Sequence, residues 1–257
     1  MTPALARASE CVVYLVGEGP GDIGDLATGG VSDQASEGFM QPLLRNLAGE
    51  KLRLRFIGSR TTRLVTGRRR AIAERSTGLA KKASDALRLA EDAGARAVVF
   101  VADVDREGGS KKTTGERRRR REKIAGDIRR GFEQAKRTTP ALGAIVTIAA
   151  TPVRMIEAWA LGDPAALRAI GGGTFAEEHL ANSPEALWGA KRDPESNHPK
   201  RVIQRVLGRE PSRDDLAAIA DSADLVLLRT SCPESFEPFA QEVAAAVLEC
   251  TQALIDV

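Results

Sequence analysis

Two aspartates one residue apart, Asp103 and Asp105, follow the apolar run Ala97-Val98-Val99-Phe100-Val101-Ala102. At the end of a strand, carboxylates at i and i+2 can face the same way. Side by side they repel one another unless one holds a proton or a cation lies between them. A third carboxylate, Glu18, follows a second apolar run, Cys11-Val12-Val13-Tyr14-Leu15-Val16, in the segment Gly17-Glu18-Gly19-Pro20-Gly21-Asp22. If Glu18, Asp103 and Asp105 converge, the donors are all oxygen, which favours Mg2+ or Mn2+ over softer ions. The alternative for the two aspartates is a solvated loop just past a strand. A basic segment from Gly58 to Arg70 carries Arg60, Arg63, Arg68, Arg69 and Arg70. Arginines beside a divalent metal suit a phosphodiester, because guanidinium groups hold phosphate oxygens while the metal polarises one of them.

The elements that would position these residues follow from pattern. Short, continuous, β-branched runs such as 97–101 and 11–16 are strands buried on both faces, the kind found in parallel sheets covered by helices. Ligands bind at the C-terminal edge of such sheets, where Glu18, Asp103 and Asp105 would lie. Residues 51–57 alternate basic and apolar, which predicts a half-exposed strand near an edge. Helices are predicted at 38–47, at 71–93, from an N-cap at Thr114 to about Lys136, and at 153–161, with a fourth strand at 144–150. The order is that of a parallel α/β sheet. From Asp163 onward the pattern turns to short helical stretches at 164–170, 184–188, 199–207 and 212–220, a brief apolar run at 224–228, and a long amphipathic helix at 236–255. The division expected is an α/β part over 1–163 and a helical extension over 164–257 packed on it, or one continuous domain.

Glu157 lies in the helix after the fourth strand, which begins at the edge carrying the other acids, and could supply the far side of a two-metal site. Asp163 is either a further ligand or the N-cap of the helix that opens at Pro164. Proline at the first helical position favours the cap.

Several chemistries are excluded. Gly19-x-Gly21-x-x-Gly24 satisfies the dinucleotide pattern, but the residues after it, 26–36, read as a loop, and the second strand ends in basic residues instead of an acid. There is no Gly-Lys-Ser/Thr phosphate loop. With two histidines, His179 and His198, a His-rich zinc site is not expected, and three cysteines with no Cys-x-x-Cys argue against a disulfide framework. No apolar run is long enough to span a membrane and no signal-peptide pattern opens the chain, so a cytoplasmic location is expected. The sole tyrosine, Tyr14, sits inside a predicted buried strand, which leaves no exposed nucleophile for a topoisomerase. The five consecutive arginines Arg117–Arg121 cannot all face one way on a helix, so most are solvated.

A Glu after strand one and an Asp-x-Asp after strand three, on parallel strands, resemble the Toprim domain of topoisomerases, primases and overcoming-lysogenization-defect nucleases. The resemblance spans about residues 11–163 and matches Glu18, Asp103 and Asp105 to that family's acids. The chain is more closely similar to small bacterial RloB-like Toprim proteins. The similarity lies in Glu18-Gly19-Pro20-Gly21-Asp22, Asp103-Val104-Asp105-Arg106, Glu157-Ala158-Trp159-Ala160-Leu161-Gly162-Asp163, Pro184-Glu185-x-Leu187-Trp188-Gly189-x-Lys191, His198-Pro199-Lys200 and Cys232-Pro233-x-x-Phe236-x-x-Phe239. The first motif departs from the family pattern, with Gly21 for Thr and Asp22 for Glu, and the loop is lengthened over 23–37. The resemblance implies a Toprim-like (Rossmann-like) fold, Glu157 as part of the site, Lys200 as a further nucleic-acid contact, and an ABC- or AAA-type ATPase partner in antiviral or anti-plasmid defence. The expected activity is metal-dependent hydrolysis of DNA or RNA by Glu18, Asp103 and Asp105. The competing expectation is a non-cleaving subunit that docks on an ATPase or on nucleic acid. The oligomeric state is not readable from the sequence.

Overall fold

A computed structural model describes residues 10–28, 36–64, 78–104 and 113–255. Asp105, Arg68, Arg69 and Arg70 lie outside them. The strands are β1 (Glu10–Gly17), β2 (Arg53–Arg60), β3 (Ala97–Val101) and β4 (Val146–Ala150). They form one sheet in the order β2-β1-β3-β4, every pairing parallel. The chain is thus an α/β protein with a parallel sheet covered by helices.

Strand alternation sorts the sheet's residues between two apolar layers. Cys11, Val13 and Leu15 face one layer with Val99, Val101, Ile148 and Ala150, against α2 (Met40–Ala48) and α10 (Phe236–Ile255). Tyr14 and Val16 face the other with Val98, Phe100 and Ala149, against α3 (Gly78–Asp92) and α4 (Thr114–Thr138). The α3–α4 crossing is tight because Gly131 has no side chain: a Cβ there would stand 2.0 Å from the Ala80 carbonyl oxygen. β2 is an outer strand with Arg53 and Arg55 exposed, as its alternating sequence predicts.

Between β1 and β2 lie α1 (Pro20–Ile23) and a 3-10 turn over Gly24–Thr28. The second half supplies α5 (Ile156–Ala160), α6 (Pro164–Gly171), α7 (Pro199–Leu207), α8 (Arg213–Ser222) and α9 (Leu225–Ser231). Residues on both sides of position 163 share the first apolar layer, among them Leu15, Trp159, Val202, Ile219 and Phe239.

Local expectations need adjusting at several ends. Thr113, not Thr114, caps α4: its hydroxyl accepts from Glu116 N–H and the Glu116 side chain returns the bond. β2 runs on to Arg60, which moves Arg60 from the basic loop onto the strand end. α5 is shorter than 153–161, because the chain after Pro152 turns through Arg154 at φ 75° before the helix begins. The apolar run at 224–228 is helical in α9, capped by Asp224, whose carboxylate accepts from Val226 and Leu227 N–H. Residues 184–188 form only a 3-10 turn over Pro184–Ala186.

Candidate functional site

Strand order creates the crevice. The chain leaves β1 toward β2 on one side and leaves β3 toward β4 on the other, while β1 and β3 are neighbours. Their C-terminal ends form a topological switch point, where open parallel sheets bind ligands. Val16 pairs in register with Phe100, so the residues just past both strands, Glu18 and Asp103, emerge nearly level. By strand parity Asp103 continues the series Val99, Val101 and so faces the layer that contains α5.

Two further carboxylates join them. Pro20 starts α1 immediately after β1 and turns the chain back, so that the Asp22 carboxylate accepts N–H bonds from Glu18 (2.7 Å) and Gly19 (3.0 Å). Glu157, buried in α5, lies 3.2 Å from the Lys200 ammonium at the start of α7. The four acids and Lys200 form one electrostatic unit. Burial, then the charges of Asp22, Glu157 and Glu18, hold the Asp103 carboxyl well above the ordinary range, with Lys200 opposing. Asp22 is pushed up to about 6 by burial first and Glu157 next, against the two N–H groups that favour its charged form. The Glu157 charge raises the Lys200 ammonium above its usual value, despite burial, with Asp22 and Asp103 adding to it.

α5 is only five residues long and is held by tertiary contacts. Trp159 stacks on Phe239 (centroids 5.1 Å apart) and meets Phe236 edge-on (5.4 Å). Its indole N–H donates to Ser235 Oγ (2.8 Å), which also accepts from Val153 N–H (3.0 Å). The buried Glu185 carboxylate accepts from the N–H groups of Glu234 (2.7 Å) and Ser235 (2.8 Å) and from the Ser235 hydroxyl. The Arg154 guanidinium lies 3.8 Å over the Trp188 ring. The segments around Trp159, Glu185, Trp188 and Phe236, far apart in the chain, therefore meet around the helix that carries Glu157.

The remaining predicted residues divide. Asp163 caps α6, accepting from Ala165 (2.8 Å) and Ala166 (3.1 Å), while its other oxygen accepts from Asp224 N–H (2.7 Å). Three backbone donors on its carboxylate give it the role of a cap. Arg60 is in register with Gly17, beside the Glu18 turn, and its Nε is buried without a hydrogen-bond partner. Arg63 is exposed on the following turn. Within the arginine run, Arg117 is buried and paired with Glu234 (Nε to Oε2 3.1 Å). Arg120 donates to the Val104 carbonyl (2.7 Å), anchoring the backbone that carries Asp103. Arg118 and Arg119 are exposed.

Asp22 is not among the residues to which spacing points. Its signal was a Pro-initiated turn that returns an acid to within four positions of Glu18. Lys200, expected against nucleic acid, is the counter-ion of Glu157 in the metal-free protein. Among the described residues, no three His, Cys, Asp or Glu side chains are gathered closely enough to enclose an ion as they stand. No described helix is long and apolar enough to cross a membrane. No family model, curated protein or solved structure matches the chain.

Proposed function

We propose that the chain is a Toprim-type nuclease that hydrolyses phosphodiester bonds of DNA or RNA with Mg2+ or Mn2+. The observation that carries this reading is the gathering of Glu18, Asp22, Asp103 and Glu157 at the switch point, around a single ammonium group from α7. The residues fit a hard divalent ion in kind. All donors are carboxylate oxygens, and the raised carboxyls of Asp22 and Asp103 mark a site where a cation would relieve the crowding of negative charge. Glu18, Asp103 and Asp105 would hold it, with Glu157 reaching a second position once Lys200 moves off. When bound, such an ion polarises a phosphoryl oxygen and lowers the pKa of a water.

The chain's own groups have separate tasks. Asp22 fixes the Glu18 backbone through two N–H bonds. Lys200 and Arg60, at the rim of the crevice, are suited to hold non-bridging phosphate oxygens. Arg63 is exposed beside them, and Arg68–Arg70, outside the described residues, would add positive charge for the nucleic-acid backbone. The proposed setting is the cytoplasm, with an ABC- or AAA-type ATPase partner in antiviral defence. A second reading, a non-cleaving subunit docking on an ATPase or nucleic acid, is favoured by the Lys200–Glu157 ion pair, which already neutralises one acid.

End-labelled DNA and RNA incubated with purified protein and Mn2+ or Mg2+ separate the two. Cleavage is expected, and the metal concentration it needs should fall as pH rises through about 6. The sign follows from the raised carboxyls. Unfolded Asp titrates near about 3.9, so in the metal-free protein the stability these groups contribute is complete below that value and is lost as pH rises through their folded pKa. Metal must displace the same protons, so its affinity climbs across that window. Calorimetric titration of Mn2+ at pH 5 and pH 7.5 reads this directly. No cleavage with either metal, together with pH-independent Mn2+ binding, leaves the docking subunit.

For nucleic-acid contact, replacing Arg68, Arg69 and Arg70 by Ala is expected to flatten the plot of log affinity against log salt. The loss should be up to about one unit of slope for each phosphate contact removed. Replacing Arg118 and Arg119 should change it less. Filter binding across a salt series decides between the two surfaces, and the reverse ranking sinks this assignment.

A further inference from the structure

At the opposite end of the sheet from the acids, Cys11 near the start of β1 and Cys250 in the last turns of α10 line one cavity of about 190 Å3 together with Arg96 and Glu249. Both cysteines are free thiols, buried among apolar residues, and both also line a second, smaller apolar cavity with Val13, Val99 and Val247. The third cysteine, Cys232, is buried elsewhere, its thiol donating to the Ala158 carbonyl (3.6 Å). Two thiols on the wall of one cavity, a space several times the ~30 Å3 of a water molecule, are arranged for oxidation by a small peroxide. Nothing in the acid site uses them.

We infer that Cys11 and Cys250 form a peroxide-oxidisable dithiol whose disulfide staples the C-terminal helix to the first strand. Cys11 is the attacking sulfur. The hydrogen bond from Cys250 lowers its thiol below the ordinary value, and Arg96 adds to this against the effect of burial. Cys250 is raised by the same hydrogen bond and by burial, so it keeps its proton until the second step. In the first step the Cys11 thiolate attacks one peroxide oxygen, the O–O bond breaks, and the departing hydroxide takes a proton to leave as water, giving a sulfenic acid. In the second, the Cys250 sulfur attacks the Cys11 sulfur, the S–O bond breaks and a second water leaves with the Cys250 proton. Two thiols lose two electrons and one peroxide becomes two waters. The staple joins the far end of the same helix whose beginning, Ser235 to Phe239, braces α5. A thiol reductant reverses it, which suits a reducing compartment.

The test uses the full chain treated with a few equivalents of hydrogen peroxide, followed by alkylation, digestion and mass spectrometry. Two of the three free thiols should be lost, a linked Cys11–Cys250 peptide should appear, and Cys232 should remain alkylatable. The melting temperature should rise and dithiothreitol should return it. In Cys250→Ser, Cys11 should stop at the sulfenic acid and be trapped by dimedone. Full alkylation of Cys11 and Cys250 after peroxide, a link to Cys232, or no dimedone adduct in the variant overturns the assignment.

Discussion

Asp103→Asn is expected to abolish metal-dependent cleavage and, at the same time, to raise the melting temperature of the metal-free protein. The substitution keeps shape and removes one charge from the cluster of Glu18, Asp22, Asp103 and Glu157. Metal coordination is worth several kcal/mol of transition-state stabilisation, and each 1.36 kcal/mol is tenfold in rate. A loss of about a thousandfold or more is therefore expected. The stability effect has the other sign because burial, and then the charges of Asp22, Glu157 and Glu18, disfavour the ionised Asp103 carboxyl. Without metal, its ionisation near neutral pH opposes folding. For a chain of this size each kcal/mol relieved shifts the melting temperature by about 2–4 °C. Glu18→Gln should lose activity in the same way. Asp22→Asn should lose less, since its amide oxygen can still accept the Glu18 and Gly19 N–H groups. Scanning calorimetry with EDTA and then with Mn2+ checks both halves. A lower melting temperature in Asp103→Asn without metal would make this acid structural and remove it from the site.

The second large effect concerns Glu185, which lies outside the acid cluster. Its carboxylate is 1% exposed and accepts from the Glu234 and Ser235 N–H groups and the Ser235 hydroxyl. Glu185→Ala strands these donors at the start of α10. Each buried group left unsatisfied costs about 1–3 kcal/mol, so a total of about 3–5 kcal/mol and a fall of roughly 10 °C in melting temperature are expected. Ser235 also receives the Trp159 indole and the Val153 amide, so the damage passes to α5 and to Glu157. Mn2+ affinity should fall in the variant even at temperatures where it remains folded. Glu185→Gln, which retains one acceptor oxygen, should recover part of both losses. If Glu185→Ala melts like the parent, the brace contributes nothing and the contacts around Trp159 alone hold α5.

Much of this architecture was legible locally. The runs 11–16 and 97–101 are apolar without alternation, and a strand with that pattern is buried on both faces of a parallel sheet. The alternating basic run at 53–56 belongs to an outer strand, since only there can every second residue reach water. Helix starts at Pro164, Pro199 and Arg213 follow from Asp163, His198 and Ser212, which cap them through side chains within three residues. Asp163 as a cap is a local fact of the same kind.

What the sequence could not decide depends on separation along the chain. The order β2-β1-β3-β4 places β1 beside β3, and no periodicity encodes which strands are neighbours. That order alone makes the crevice into which Glu18 and Asp103 open. Asp22 enters the site because α1 is a single turn that folds back on the Glu18 backbone, a geometry invisible in composition. Lys200 reaches Glu157 across 43 positions, and Cys250 lines the same cavity as Cys11 from the other end of the chain. Their carboxylate, ammonium and thiol groups carry no local signal of a partner. Packing of α7 and α10 on the sheet brings them together, and that packing is driven by apolar burial, which acts on the whole layer and not on any one pair.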